Sequence, residues 1–396
     1  MRILVHDFAG HPFQMQLSRE LARRGHDVQH VDCASYATGK GDLNAHDDAT
    51  HLHVRSIDLG APFDKYSARR RFQQEADYGR RFTHVAAEFR PDVIVSSNDP
   101  LLAKWIAGRW CRRTRTPWVF WLQDIYSVAM SNAVGRVPLV GGALGFVFRT
   151  IERRLLDAAA AVVPISADFL PLLDEWQVDP RRTTVIENWA PLAEIPVRPR
   201  RNPWSAEQDL DDSTVFLYAG TLGLKHDPDL LVELARRFRD RADVRVIVAS
   251  EGVGADHVRE RAAAERLDRL VVLPFQPYDR FPDVLATGDV LLVILEPDAG
   301  VFSVPSKVLS YHCAGRALLA SVPAENLAAR IIRDQDSGRV VTPGDRESWL
   351  TAADALLTDP DARARQGASA RAYAEATFDI DAIGDCFEEV LRRAVS

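Results

Sequence analysis

Two segments in the second half of the chain contain the residue types that bind phosphate groups. The first, FLYAGTLGLKHD at 216–227, leads from an apolar strand into a turn that contains Gly220, Thr221 and Lys225. Backbone N–H groups in such a turn and at the next helix start attract phosphate oxygens, and a lysine adds a charge-assisted hydrogen bond worth about 1.5–3 kcal/mol. A plain strand–helix connection with a solvated lysine explains the same residues equally well.

The second segment, EPDAGVFSVPSKVLSYHCAGRALLAS at 296–321, has a proline where a helix should begin. Pro305 suits the first turn of a helix, Lys307 and Ser310 follow it three residues apart, and Gly315 is placed to end the helix. The pattern therefore predicts a second helix N-terminus with a cation beside it.

Carboxylates precede this second helix. Glu296 and Asp298 lie in a loop that follows the apolar run DVLLVIL. Because N–H groups and a cation suit a diphosphate, whereas carboxylates suit sugar hydroxyls, we predict a nucleotide-sugar site around 303–315. The alternative is a surface loop whose charges face water.

The first half offers fewer candidates. Gly10 and His11 lie between the first strand and the first helix, where a glycine lets a ligand approach the backbone and a histidine can contact a phosphate or hydroxyl. A solvated loop histidine is the alternative. The chain has no GxGxxG motif, which argues against NAD or FAD. Asp124 ends the strand of WLQDIY and could orient or deprotonate an acceptor hydroxyl, and a helix-capping role fits it equally well.

Strands and helices alternate along both halves, with short Gly- and Pro-containing turns between them. This alternation predicts an α/β protein with two doubly wound parallel sheets. The pattern is interrupted at 190–213, where Pro, Arg and Asp are frequent and no period is present. Two such domains would leave a cleft at the carboxyl ends of their strands, and that cleft is the expected ligand site.

Charge and composition restrict the function further. The chain has 396 residues and a net charge of −7. This overall acidity argues against a nucleic-acid partner, whereas the relatively basic first half leaves room for an anionic acceptor or membrane surface. The four cysteines are far apart, and the longest uncharged apolar run, 137–148, is too short to cross a bilayer. We expect a soluble cytoplasmic protein, with docking at the inner face of the membrane as an open alternative.

Two stretches of the first half suggest such docking, because basic residues occur there among aromatic ones. Two ordinary amphipathic helices with solvated arginines explain them equally well. The basic residues are Lys65, Arg69, Arg70, Arg71, Arg80, Arg81, Lys104, Arg109, Arg112, Arg113 and Arg115, and the aromatic ones are Tyr66, Phe72, Tyr78, Phe82, Trp105 and Trp110.

Six segments, in this order, resemble those of glycosyltransferase family 4. They are HPFQMQLSRELARRGHDV, FRPDVIVSSNDPL, WLQDIY, VIENW, YAGTLGLKHD and VPSKVLSYHCAGR. The resemblance extends over nearly the whole chain and is strongest to the bacterial branch that assembles surface polysaccharides, including fucosamine-transferase-like members. It implies a GT-B fold, in which two Rossmann-like domains face a central cleft, and sugar transfer with retention and without a metal.

The resemblance also implies a division of labour. Residues 1–195 would bind a glycan or polyprenyl-linked acceptor and 214–376 a UDP-, GDP- or TDP-linked sugar. Residues 196–213 would be a linker, and the helix at 377–396 would pack back on the first domain. The donor-binding residues would be Gly10, His11, Gly220, Thr221, Lys225, Ser250, Glu251, Phe275, Val304, Lys307 and Ser310, and the catalytic ones Asp124, Lys225 and Asp298.

Three positions differ from the family pattern. Thr221 lies where the family often has an arginine, and Ser310 aligns with the glutamate that commonly holds the ribose. The other family glutamate falls on Phe302. A sugar-nucleotide 2-epimerase, a catalytically weak partner protein with this fold, and transfer to a small natural product therefore remain alternatives to glycan synthesis.

Overall fold

The computed structural model describes residues 1–36, 40, 42–43, 51–64, 67–127, 141–223, 226–297, 300–302 and 304–396, with the backbone alone at 141–144. Contacts divide the chain into two compact units. The first consists of Met1–Glu187 together with Ile380–Ser396, and the second of Asn188–Asp379. Among the described helices, none is long and apolar enough to span a membrane.

The first unit contains a six-stranded parallel sheet in the order β3-β2-β1-β4-β5-β6. Its strands are β1 (Arg2–His6), β2 (Asp27–Cys33), β3 (Leu52–Ile57), β4 (Val93–Ser96), β5 (Trp118–Leu122) and β6 (Ala161–Pro164). Its helices are α1 (Pro12–Arg23), α2 (Ala68–Phe89), α3 (Leu101–Thr114), α4 (Gly141–Ala158), α5 (Leu170–Glu175) and, after the second unit, α14 (Ile380–Val395). The strands are apolar because helices cover the sheet, and every residue of β5 (WVFWL) is buried.

The last helix, α14, is held on the first unit by apolar and charged contacts. The Phe387 ring lies 4.8 Å from the Trp121 ring and is fully buried. The guanidinium of Arg24 donates to Asp385 at 2.5 Å and to Glu388 at 3.1 Å. Truncation of a buried phenylalanine costs about 3–5 kcal/mol, so Phe387 anchors this helix.

The second unit contains another six-stranded parallel sheet, in the order β12-β11-β10-β7-β8-β9. Its strands are β7 (Thr214–Ala219), β8 (Val244–Ala249), β9 (Leu270–Leu273), β10 (Val290–Ile294), β11 (Ala317–Ser321) and β12 (Gly338–Val341). Its helices are α6 (Pro203–Glu207), α7 (Asp229–Arg237), α8 (Val253–Glu265), α9 (Phe281–Thr287), α10 (Ser306–Ala314), α11 (Leu327–Asp334), α12 (Arg346–Thr358) and α13 (Pro360–Thr377). The predicted α/β fold class with doubly wound parallel sheets is confirmed.

Residues 196–213, expected to be a linker, are packed within the second unit. The Asn202 side chain accepts from the Ser205 N–H at 3.0 Å and begins α6. Trp204 is 1% exposed, and Arg200 donates to Asp289 at 3.0 Å. A helix cap, one buried tryptophan and an ion pair hold this segment in place. It therefore packs without the periodic apolar residues that mark a helix or strand in the sequence.

Each sheet reverses its strand order once. The reversal lies between β1 and β4 in the first unit and between β7 and β10 in the second. Loops that leave the carboxyl ends of two such strands diverge and leave a crevice, where open α/β sheets commonly bind ligands. Ligand-binding residues are therefore expected in the turns after β1, β4, β7 and β10.

Candidate functional site

In the second unit, two tyrosines join the turn after β7 to helix α10. The Tyr311 hydroxyl accepts from the Ala219 N–H at 2.9 Å and donates to the Ala219 carbonyl at 3.1 Å. The Tyr218 hydroxyl donates to the Thr221 carbonyl at 2.7 Å. Because these bonds hold the end of β7 against α10, the two predicted phosphate segments lie side by side.

Lys307 is the cation at this junction. Its Nζ donates to the Tyr218 hydroxyl and lies 3.7 Å from the centroid of the Tyr218 ring. Burial lowers the pKa of Lys307 to about 7. No carboxylate of the described residues lies within 4.0 Å of Nζ, so none of them balances the charge that an anion would meet here.

Gly220 makes room beside this lysine. Its φ of +130° is one that side-chain-bearing residues rarely adopt, and a Cβ added there would lie 3.6 Å from Lys307 Cε. The predicted Gly220, Thr221 and Lys307 are thus brought together. Val304 and Ser310 flank Lys307 on the same segment, and both are partly buried.

The turn after β8 packs on the turn after β7. A Cβ added at Gly254 would lie 2.3 Å from the Leu222 carbonyl oxygen, so α8 begins directly against that turn. Glu251 accepts from the Phe275 N–H at 3.1 Å. The Ser250 hydroxyl is buried and has no hydrogen-bond partner in the part of the chain that the structure describes. Ser250, Glu251 and Phe275 therefore lie in one group at the carboxyl edge of the sheet.

Lys225 and Asp298 of the predicted donor and catalytic sites, Ser303 at the start of the predicted nucleotide-sugar segment, and Lys65 and Tyr66 of the predicted membrane-docking stretches lie outside the described residues. Tyr218 and Tyr311 are structural contributors that sequence reasoning missed. The signal for Tyr311 was its position four residues after Lys307, which places both on one face of the helix. Nothing local distinguished Tyr218 from any other aromatic residue of a buried strand.

In the first unit, the turn after β1 is closed by the buried carboxylate of Asp7. Its Oδ1 accepts the N–H groups of Ala9 at 3.2 Å and Gly10 at 3.0 Å, and its Oδ2 accepts that of His11 at 2.5 Å. Gly10 has a φ of +76°, and a Cβ there would lie 3.1 Å from Lys40 Cδ. The glycine thus serves the turn itself, and its N–H already has an internal acceptor.

The side chain of His11 bonds the same carboxylate, with Nδ1 3.2 Å from Asp7 Oδ1. Burial by itself lowers the pKa of His11. The hydrogen bond and negative charge of Asp7, with smaller effects from Asp124 and Asp99, outweigh burial, so the pKa lies above the usual histidine value. Burial by itself raises the pKa of Asp7. The hydrogen bonds and positive charge of His11 outweigh burial, so the pKa of Asp7 lies below the usual aspartate value. The pair therefore favours a carboxylate beside an imidazolium.

A second buried carboxylate, Asp99, lies below this turn and was missed by sequence reasoning. It accepts the Phe8 N–H at 3.1 Å and the Ser96 hydroxyl at 2.5 Å, and His6 Nδ1 lies 3.1 Å away. Burial raises the pKa of Asp99 to about 7. Asp99 follows β4 in the run SSNDP, a polar run after an apolar strand that could have indicated it.

Asp124 lies two residues beyond the end of β5 and is partly buried. At the same loop, the carboxylate of Glu152 accepts the N–H groups of Tyr126 and Ser127, both at 2.9 Å. The negative charge of Asp124 acts on His11, because it helps to raise the pKa of that imidazole. Asp124 therefore belongs electrostatically to the Asp7–His11 turn.

Several side chains predicted to face a membrane are buried instead. Tyr78 and Phe82 are both 0% exposed, and their rings pack against His6. Lys104 is buried, donates to the Ser97 carbonyl, and its Nζ lies 4.1 Å from the centroid of the Phe120 ring. These residues follow the helical period of the core-facing side, which composition alone did not reveal.

The sequence matches two family models. The description of the first is Glycosyl transferase 4-like domain, and it covers residues 10–189. The second, Glycosyl transferases group 1, covers residues 201–373. Together they account for most of both units.

Named relatives and solved structures agree with these matches. The chain is similar to the putative colanic acid biosynthesis glycosyl transferase WcaI of Escherichia coli K12, with 26% identity over 60% of this chain and 58% of that protein. The chain spans between about half and two thirds of the length of the first curated relatives it matches.

Two solved structures share the fold over 99% of this chain, each at 16% identity. They are sucrose-phosphate synthase from Thermosynechococcus elongatus, with a TM-score of 0.75 and 98% of that chain covered, and Anabaena Alr3699/HepE in complex with UDP and glucose, with a TM-score of 0.73 and 99% covered. The chain therefore contains a glycosyl transferase 4-like domain followed by a glycosyl transferases group 1 domain, and the predicted resemblance to glycosyltransferase family 4 is confirmed.

Proposed function

We propose that the chain transfers a sugar from a nucleoside-diphosphate donor to a glycan or lipid-linked acceptor, with retention at the anomeric carbon. The observation that carries this proposal is the junction of the turns after β7 and β10. There, Lys307 is partly buried against Tyr218 and has no carboxylate partner among the described residues. A partly buried cation at a strand-order reversal suits a diphosphate better than a neutral ligand.

The donor diphosphate would bind between these turns. Lys307 would donate to a phosphate oxygen, and Gly220 and Thr221 would let the backbone approach the ligand. Because negative charge develops on the leaving diphosphate, a cation held before the reaction lowers the barrier without reorganisation at that moment. Lys225 would add a second positive charge at the same turn.

The nucleoside would lie along the edge formed by the turns after β8 and β10. Phe275 and Glu251 are already joined by a hydrogen bond, and we propose that the base lies against the Phe275 backbone. The ribose would lie on the segment from Val304 to Ser310. A serine hydroxyl there can hold one ribose hydroxyl, where a carboxylate would accept two.

The acceptor would bind to the first unit. Asp124 would orient the attacking hydroxyl there, and Asp298 would contact the donor sugar. We propose attack on the face from which the diphosphate leaves, with the hydroxyl proton passing to a leaving phosphate oxygen. This route retains the anomeric configuration and assigns the charge stabilisation to lysines, without a metal.

We propose UDP-sugars as the first donors to test, because Alr3699/HepE, which shares the fold, was solved with UDP and glucose. GDP- and TDP-sugars follow as alternatives. The similarity to WcaI, whose name refers to colanic acid biosynthesis, supports a role in polysaccharide or glycoconjugate assembly.

Membrane contact of the first unit, and with it a polyprenyl-linked acceptor, is the finer part of the proposal. Phe72 is 63% and Phe146 71% exposed, and Arg69 and Arg70 are exposed on the same helix as Phe72. Exposed aromatic and basic side chains suit an anionic membrane surface. Sedimentation with vesicles of phosphatidylglycerol and phosphatidylcholine would test this, and equal sedimentation of the wild type and a Phe72→Glu, Phe146→Glu double variant would refute it.

A nucleotide-sugar panel tests the transferase proposal itself. A donor present at about 100 times its dissociation constant should stabilise the protein by about 2.7 kcal/mol, which a thermal-shift assay detects. Release of a nucleoside diphosphate that depends on an acceptor would establish transfer, and alteration of the free nucleotide sugar would instead reveal an epimerase. Tight binding without turnover would indicate a partner protein, and absence of both binding and release across the panel would end the proposal.

A further inference from the structure

Asp7 and His11 form a carboxylate–imidazole pair that the proposed donor site does not yet use. Asp7 is fully buried, and both its oxygens accept hydrogen bonds from residues 9–11 of the same turn. Its Oδ1 also lies 3.2 Å from His11 Nδ1. The carboxylate is thus anchored by three backbone N–H groups and can hold the imidazole ring in one orientation.

This geometry determines which nitrogen of His11 carries a proton. A carboxylate can only accept, so Nδ1 must be the donor of the bond to Asp7. Gln14 Nε2 lies 3.4 Å from Nδ1, slightly farther away than the carboxylate oxygen at 3.2 Å. The other ring nitrogen, Nε2, has no hydrogen-bond partner among the described residues.

The other basic groups around the turn do not compete strongly with His11 for the Asp7 carboxylate. His30 lies 3.8 Å from Asp7, but burial lowers its pKa, so it is neutral and competes weakly. Lys40, which approaches Gly10, is paired with Asp32 at 2.6 Å. His11 is therefore the group that pairs with the Asp7 carboxylate.

Two more carboxylates face His11 from neighbouring elements. They are Asp99, after β4, and Asp124, after β5, and both act on His11 through their charge. A protonated His11 has two N–H donors, of which Asp7 satisfies only the one at Nδ1. The donor at Nε2 remains for an external acceptor, and the side chain is 27% exposed to receive one.

We propose that Asp7 is a positioning residue that holds His11 with Nδ1 protonated, so that Nε2–H donates to an anionic oxygen of the substrate. The oxygen belongs to a substrate bound at the first unit, and this part of the inference rests on the proposed function. The arrangement of the pair itself does not.

Histidine NMR on the whole protein tests the arrangement without any substrate. In ¹⁵N-histidine spectra, with the resonance assigned by loss in His11→Gln, the neutral form of His11 should carry its proton on Nδ1. Asp7→Asn should lower the His11 pKa by about 1 or more, because an opposite charge at this distance favours the protonated form. Asp27→Asn, which removes a partly exposed carboxylate 3.3 Å from His53, should leave His11 unchanged. An unaltered pKa and tautomer in Asp7→Asn would overturn the proposal.

The pH profile of transfer tests the donation to substrate. If His11 acts as the imidazolium, kcat/KM falls as pH rises through its pKa, and in Asp7→Asn the fall comes about one pH unit lower. His11→Gln should lose this step, and the double variant should match His11→Gln. An Asp7→Asn loss that is equal at every pH would show a structural role only, and activity that rises through this pKa would show that neutral His11 accepts a proton.

The two tests distinguish failure of the Asp7–His11 arrangement from failure of the proposed function. If the NMR result holds while no donor is turned over, the pair stands and the proposed function falls. Should Asp7→Asn fail to fold, Asp7→Glu provides the second variant: a retained charge should keep the His11 pKa raised, and a pKa equal to that of an exposed histidine would overturn the proposal.

Discussion

The turn after β1 and the turn after β7 occupy the same position in two sheets of the same topology, yet their charges are opposite. The first encloses a carboxylate, Asp7, which the turn's own N–H groups satisfy. The second encloses an ammonium group, Lys307, whose described partners are a neutral hydroxyl, an aromatic ring and a carbonyl oxygen.

The difference shows in the pKa values. Asp7 is buried, yet its pKa is lowered, because hydrogen bonds and positive charge outweigh the cost of burial. Burial lowers the pKa of Lys307 to about 7, and nothing offsets it. A buried charge without compensation is costly unless a ligand supplies the opposite charge. We therefore propose that the second turn binds the diphosphate directly, whereas the carboxylate of the first turn orients the side chain of His11.

The largest effect should come from Lys307→Met. Loss of this cation should lower kcat/KM for a nucleotide-sugar donor by about 100-fold or more, as for other removed transition-state donors. Steady-state kinetics at pH 7 measures it. The exposed Arg239→Met in the same unit is the matched control and should retain activity. A Lys307→Met enzyme within a factor of three of the wild type would contradict the assignment.

Binding of the donor should depend on pH through the same lysine. Since Lys307 has a pKa of about 7 in the free protein, it loses its charge as pH rises above 7. Affinity for UDP-glucose should then fall about tenfold between pH 7.0 and pH 8.3, and binding should take up protons. Calorimetry in buffers of different ionisation enthalpy measures this. The His11→Gln background removes the other titrating group, and Lys307→Met in that background should show no such dependence.

The carboxylate below the first turn should affect stability and not donor binding. The pKa of Asp99 is raised to about 7, so the folded protein binds more protons than the unfolded chain between about pH 4 and pH 7. This contribution is present below pH 4 and is lost as pH rises through 7. Asp99→Asn should therefore gain stability relative to the wild type, by about 2 kcal/mol, as pH rises from 5 to 8. Chemical denaturation measures the gain, and a constant difference across pH would contradict it.

The smallest effect should come from the two turn glycines. Gly10→Ala and Gly220→Ala each force a side chain into a positive φ, of +76° and +130°, at a cost of about 1–2 kcal/mol. Both should lower the melting temperature, but Gly220→Ala alone should weaken nucleotide binding, since Gly220 borders Lys307. Equal weakening by both alanines would remove the distinction between the turns.

Much of the fold could be predicted from local pattern. Buried parallel strands are near-continuous apolar runs, as in RILVH and WVFWL, and the lysine and proline of the segment at 304–310 indicated a helix start beside a cation. The packed segment at 196–213 escaped prediction because it has no period, and its structure depends on Trp204 and on an ion pair between Arg200 and Asp289, 89 residues apart.

The sequence by itself determined the two sheets, their helices and the approximate location of the phosphate-type turns, since these follow from hydrophobic period and turn residues within short windows. Tertiary structure alone decided which groups meet. His6 and Asp99 face each other because β1 pairs with β4, and Tyr218 lies under Lys307 because β7 pairs with β10. Such contacts join residues about 90 positions apart, and their burial sets the pKa values on which the proposed chemistry depends.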